Sequence, residues 1–192
     1  PPFHSPPRSS FFTSELEQFM LLTREQEIDP LVATGSYAGA IGKPQFIPGS
    51  YREYAIDFDG DGKRDLLTNN ADAIGSVANY YRRHGWRQGD PVAAPALVNG
   101  GDYREHLNIE LKPTTTIADL SLAGVKIEPN LPPSTRCNLI QFDAGNSKEY
   151  WLGFHNFYVT TRYNHNNQYA MAVYQLSQRI LEQRRTSAKN NG

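Results

Sequence analysis

Leu16, Phe19, Met20, Leu22 and Thr23 recur at the three- and four-residue spacing of a helix face. At the start of this run Ser14 and Glu17 have the spacing of an S-x-x-E capping box. The pattern predicts a first helix starting at Ser14 and ending before Asp29-Pro30, because the residue ahead of a proline is pushed out of helical geometry. From Gly35 to Phe46 no period dominates, and the glycines allow close backbone approach. A short helix is predicted from about Pro48 to Ala55. A stronger one opens near Asp72, with Ile74, Val77, Ala78 and Tyr81 on one face. Arg82, Arg83 and His84 suit its last turn, and Gly85 is the expected stop.

From Asp90 to about Ser147 the texture changes. Prolines and glycines punctuate short alternating runs, among them 107–111 and 139–142, which read as strands. After 150–154 the pattern gives an aromatic and polar loop. A final helix then carries Tyr169, Val173, Leu176 and Ile180 inward and gives way to a solvated tail from Arg184. The expected organisation is a core over 1–89, a small β-containing insertion over 90–149, and a return to the core over 150–192. The fold class is mainly α, within α+β, and there is no internal repeat.

Charge narrows the partners. Lys and Arg total 19 against 20 for Asp and Glu, a formal charge of −1, so nothing draws the chain to nucleic acid. The 11 tyrosines and 9 phenylalanines suit both a core and a surface for sugar rings. Cys137, the single cysteine, excludes an internal disulfide and sits in a strand-like run, which predicts a buried structural thiol. No apolar run reaches the length of a membrane span. No signal peptide is visible in the proline-rich opening, which reads as a mid-protein segment. His84 and His165 have no metal-ligand spacing to other His or Cys, so zinc is not expected.

Chemistry concentrates in Asp57-Phe58-Asp59-Gly60-Asp61-Gly62-Lys63. Carboxylates at loop positions one, three and five aim alternate side chains at one point, as calcium's demand for several hard oxygens requires. Gly62 allows the sharp turn, and the Lys63 carbonyl can serve as a main-chain ligand. Position twelve, usually a bidentate Glu, is Thr68; the next carboxylates are Asp65 and Asp72. Three crowded carboxylates without a cation would repel each other, so bound calcium is predicted. One loop rather than a pair points to a structural calcium instead of a sensor. Glu15, Glu17, Glu25 and Glu27 read as solvated helix charges and helix-end partners.

Three blocks, in order, resemble the bacterial membrane-bound lytic murein transglycosylase B family. They are Gly35-Ser36-Tyr37-Ala38-Gly39-Ala40 through Gln45-Phe46 and Pro48; the acidic loop with 72–80; and Thr161-Arg162-Tyr163-Asn164-His165 through 169–173. The resemblance implies a lysozyme-like core with an EF-hand-like calcium loop, acting on peptidoglycan glycan strands. It implies cleavage of the β-1,4 bond between N-acetylmuramic acid and N-acetylglucosamine, with the muramyl C6 hydroxyl attacking C1 to leave a 1,6-anhydro ring. One glutamic acid serves first as acid, then as base.

Carried over by motif, Ser36 and Gln45 stand beside that acid, Tyr80, Tyr163, Asn164 and Tyr169 line sugar subsites, and Phe46 forms part of the cleft wall. Arg8 meets the peptide or carboxylate part of the substrate, while Pro7 stands where a second arginine is common. Asp57, Asp59, Asp61, the Lys63 carbonyl and Asp72 match the metal ligands, in a loop one residue longer before Asp72. Lys43-Pro44 departs from the family's glycine-rich run.

The family's catalytic glutamate matches no residue here. It is expected upstream of Pro1, which makes the 192 residues inactive by themselves. The resemblance also implies a periplasmic setting, with outer-membrane anchoring of a longer parent, and a monomer. Two other functions fit the residues: a non-catalytic glycan-binding module, and a calcium-stabilised structural domain without a ligand.

Overall fold

A computed structural model describes residues 9–107, 110–128 and 131–190. These residues form six α-helices and one five-stranded sheet, a mixed α+β fold. The chain divides into two compact units, one up to Arg83 and one from His84 onward.

The first unit holds α1 (Ser9–Glu25), α2 (Pro48–Tyr54) and α3 (Asn70–Arg83). Ser14 does not cap α1; it lies inside the helix, which is already formed at Ser9 because nothing between there and Ser14 breaks it. The inward stripe of α1 matches the sequence reading at Leu22 and Thr23 and departs from it at Leu16 and Met20. Phe12, Leu22 and Thr23 are buried, while Leu16 and Met20 are about half exposed. In α3 the difference is larger. Ile74 is 70% exposed, and the buried face is Asp72, Ala73, Ser76, Asn79 and Tyr80. That face is polar because it supplies hydrogen bonds to neighbouring backbone. Ile56 N–H donates to Ser76 Oγ at 3.0 Å, and Asn79 Nδ2 donates to the Tyr54 carbonyl at 2.8 Å.

The second unit is built on the antiparallel sheet β2-β4-β5-β1-β3. Its strands are β1 (Ala93–Val98), β2 (Thr115–Thr116), β3 (Val125–Ile127), β4 (Arg136–Ala144) and β5 (Ser147–Gly153). The predicted strand at 139–142 lies within β4. Of the run at 107–111, residues 108 and 109 lie outside the described residues, and Leu107 makes a single bridge to Leu139. Alternation along the strands separates two cores. Leu139, Leu152 and Cys137 pack with Ile117 and Leu120 of α4 (Ile117–Leu122). Ile140 and Ala93 pack with Phe157, Ala170 and Met171.

Those last three residues belong to α5 (His155–Tyr163) and α6 (Asn167–Asn190). The segment expected to be an aromatic loop is therefore largely helix α5, because the apolar Phe157 and Val159 each find a buried site. In α6 the inward residues are Ala170 and Met171; Leu176 and Ile180 are 59% and 50% exposed, and the helix runs on through the expected tail. Among the described residues no helix is long and apolar enough to cross a membrane.

Two buried asparagines fix loops that the sheet alone would leave free. Asn138 receives Thr114 N–H at 3.0 Å and donates to the carbonyls of Glu110 and Leu111 at 3.0 and 3.1 Å. Asn156 receives Arg87 N–H at 2.9 Å and donates to the carbonyls of Arg87 and Asp90 at 2.7 and 3.0 Å.

Cys137 has no solvent exposure, and burial pushes its thiol up to about 12. At pH 8 an aromatic disulfide reagent should leave native Cys137 unmodified and label it stoichiometrically in denaturant. Rapid labelling of the native chain would contradict a closed core around β4.

Candidate functional site

The acidic loop connects α2 to α3 and winds around its own first carboxylate. Asp57 accepts the amide hydrogens of Gly60, Asp61 and Gly62 at 2.7, 3.1 and 2.8 Å. Carboxylate oxygens of Asp57, Asp59, Asp61 and Asp72 lie within 4.8 Å of one another. Four hard anionic oxygens at that spacing fit a divalent cation of the calcium type. Asp65 is turned elsewhere: it accepts from the Leu67 and Thr68 amides at 2.8 and 2.9 Å and bonds the Thr68 hydroxyl. Lys63 N–H donates to Asp61 at 2.8 Å.

Asp72 differs from the other three in being wholly buried. One oxygen accepts Phe58 N–H and the other Asp65 N–H, each at 2.8 Å, so its carboxylate ties both arms of the loop to the first turn of α3. Phe58 lies across the same helix at Gly75, where an added Cβ would stand 2.5 Å from the ring. Tyr51 braces the loop from α2, its hydroxyl donating to the Arg64 carbonyl at 2.6 Å and accepting Leu66 N–H at 2.9 Å.

The end of this loop is bolted to the segment carrying Ser36 and Gln45. Lys43 N–H donates to the Leu66 carbonyl at 2.8 Å, and Lys43 Nζ donates to the Thr68 carbonyl at 2.6 Å and to Asn70 Oδ1. Gly42 passes so close that a Cβ there would be 2.6 Å from the Leu66 oxygen. Ile41 and Phe46 exchange backbone hydrogen bonds of 2.9 and 3.1 Å, closing a tight turn. Inside it Gln45 adopts φ +55°, uncommon for a residue with a side chain. Its Nε2 donates to the Gly42 carbonyl at 2.9 Å, and the residue is exposed.

Ser36 is exposed too, its Oγ accepting Ala40 N–H at 3.1 Å. Phe46 and Tyr80 form the buried backing of this wall, with 3% and 9% exposure and ring centroids 5.7 Å apart. A cavity of about 240 Å³ beside Ser36 is lined by Phe12, Glu15, Phe19, Tyr37 and Ile41. Glu15 was read from sequence as a solvated charge; it is half-buried and accepts Gly49 N–H at 2.8 Å. Its spacing from Phe12 and Phe19 puts it on the inward stripe of α1, which is the signal that marks it.

In the second unit Tyr163 and Tyr169 stack with centroids 6.3 Å apart and planes inclined by 5°. Asn164 is exposed at the end of α5, where the chain turns toward α6. Burial pushes the Tyr169 hydroxyl above its ordinary range. Arg162 lies over the Tyr158 ring at 5.9 Å and meets His165 at 3.1 Å. Arg8 lies outside the described residues.

A family model described as a transglycosylase SLT domain matches residues 3–178. The membrane-bound lytic murein transglycosylase B of Escherichia coli K12 is 44% identical over 184 residues, covering 93% of this chain and 48% of that protein. The soluble lytic transglycosylase SltB1 of Pseudomonas aeruginosa superposes with a TM-score of 0.88 at 46% identity, covering 95% of this chain and 60% of that one. The E. coli lytic transglycosylase Slt35 in complex with calcium superposes with a TM-score of 0.85 at 44% identity, covering 94% and 56%. The chain thus spans about half the length of the curated relative it matches.

Asp72→Ala strands two buried amide donors, each costing about 1–3 kcal/mol. Urea denaturation in a divalent-cation chelator should show a loss of about 3 kcal/mol. Lys43→Ala removes hydrogen bonds at an exposed tie and should cost only about 1 kcal/mol. Equal losses for the two variants would contradict the buried role of Asp72.

Proposed function

The chain belongs to the transglycosylase SLT domain family, and from that membership we propose that it serves a lytic murein transglycosylase. The reaction is non-hydrolytic cleavage of the β-1,4 bond between N-acetylmuramic acid and N-acetylglucosamine, ending in a 1,6-anhydro ring. The observation that carries this reading is the family match over 3–178, which takes in Ser36, Gln45, Tyr163, Asn164 and Tyr169 together. Ser36 and Gln45 are exposed polar groups on adjoining tight turns, suited to hydrogen-bond the sugar nearest the reacting bond. The stacked Tyr163 and Tyr169 offer aromatic surface to a sugar ring. In this reading residues 1–89 and 150–192 carry the sugar-facing groups, with 90–149 as the β insertion. The compartment is the periplasm, where murein lies.

The acid is the exception. Glu15, the carboxylate beside the Ser36 wall, is held by the Gly49 amide, and no motif assigns it to catalysis. For these 192 residues by themselves the reading is glycan binding without turnover. Incubation with murein sacculi and mass spectrometry of the products tests both halves. Bound sacculi and no soluble product are expected. Release of 1,6-anhydromuropeptides would place a working acid within this chain, and ordinary reducing ends would overturn the transglycosylase chemistry itself.

Calcium is the proposed occupant of the acidic loop, held in EF-hand fashion by Asp57, Asp59, Asp61, the Lys63 carbonyl and Asp72. It supplies charge compensation and stiffness. Saturation at about a hundred times the dissociation constant stabilises the native state by about 2.7 kcal/mol. That amounts to a rise in melting temperature of about 5 °C or more for a chain of this size. Scanning calorimetry in calcium and in a calcium chelator should show that rise, and the Asp59→Ala/Asp61→Ala variant should lose it. An unchanged melting temperature in the wild-type chain would sink the assignment.

A further inference from the structure

A second cavity, of about 530 Å³, lies within the unit that begins at His84. Three cations from three separate segments frame it: Arg87, Lys112 and Arg136. Among the described lining residues Asp90 is the one acidic group, 3.9 Å from Arg87, so that lining is net positive on a chain that is −1 overall. Phe154 and Tyr158, at the start of α5, also line the cavity.

The loops that carry the cations are held in place. Asn156 binds both Arg87 and Asp90 through their backbone, and Asn138 binds the turn from Glu110 to Thr114 that contains Lys112. Arg136 opens strand β4, where its backbone pairs with Thr116. Each asparagine is almost wholly buried, at 2% or less exposure. A cavity whose charged rim stands on clamped loops loses little freedom on binding, which favours affinity.

We infer that this cavity is a binding site for carboxylates, and that its occupant is the acidic stem peptide attached to a murein strand. The inference rests on the glycan reading above. Helix α5 links the two features: Phe154 and Tyr158 lie at its first turns, and Tyr163 ends it. Nine helical residues span about 13.5 Å at about 1.5 Å each. An extended peptide covers that distance in about four residues. A muramyl ring against Tyr163 and Tyr169 can therefore deliver its peptide carboxylates to Arg87, Lys112 and Arg136. Arginine and lysine bind such groups by charge-assisted hydrogen bonds, stronger than neutral ones.

Calorimetric titration of the whole chain with three probes tests this: a disaccharide-tetrapeptide, a peptide-free oligosaccharide of the same sugars, and inorganic phosphate. Lys112→Ala/Arg136→Ala should weaken the disaccharide-tetrapeptide about tenfold and leave the peptide-free sugar unchanged. Lys112→Arg should retain affinity. Equal weakening of both sugars, or of neither, overturns the inference. Phosphate binding in the wild type, with no preference for the peptide-bearing over the peptide-free sugar, overturns the stem peptide as occupant. The free tetrapeptide, followed by NMR shifts at Tyr158 and its loss in the double variant, reads the cavity independently of the sugar. A wild-type chain that binds the tetrapeptide but no sugar would thus refute the glycan reading alone. Absence of tetrapeptide shifts would refute the cavity.

Discussion

The acidic loop and the start of α3 depend on one buried carboxylate. Asp72 has no solvent exposure, and it accepts one amide hydrogen from each arm of the acidic loop. Burying a charge is costly unless it is hydrogen-bonded or paired. The fold meets that demand by turning a polar face of α3 inward, with Ser76 and Asn79 continuing the same line of backbone contacts. Ile74 points outward as a consequence. The order of causes runs from loop to helix: the helix is oriented by what the loop backbone needs, and the apolar residues take the positions that remain.

That reversal explains what hydrophobic patterning could and could not read. The extents of α2 and α3, the strand at 139–142 and the gathering of aspartates follow from local rules: a proline at a helix start, a glycine past a helix end, alternation, and acidic spacing. The inward face of α3 does not, because a hydrophobic period carries no information about a backbone amide fourteen residues away. The first half of the α1 stripe is misread for a related reason. Its inward stripe includes Glu15, which serves the Gly49 amide thirty-four residues on, and a stripe with a charge in it looks like the outer face. In α6, Leu176 and Ile180 keep a helical period along an exposed stretch, so period alone overstates burial.

The two asparagines of the second unit make the same point at the level of loops. Neither Asn138 nor Asn156 belongs to a recognisable motif, yet each makes at least three hydrogen bonds to the main chain of irregular segments. A side-chain amide has both donor and acceptor capacity, so it can imitate a short piece of strand. The sheet supplies their positions and they fix the connections, which is why irregular segments rich in proline and glycine can hold defined shapes.

Gln45 shows how such fixing reaches the candidate site. A left-handed residue with a side chain costs about 1 kcal/mol or more and persists only where the surroundings enforce it. Here the enforcement comes from both sides of the turn: the Ile41–Phe46 backbone pair closes it, and Lys43 and Gly42 press it against Leu66. Leu66 is in turn held by the Tyr51 hydroxyl, and its neighbour Asp65 by Asp72. The exposed amide of Gln45 is thus set through a continuous series of short contacts leading back to the buried carboxylate. Loosening the acidic loop therefore removes the support for the strained turn, and the wall that carries Gln45 shares the stability of the loop behind it.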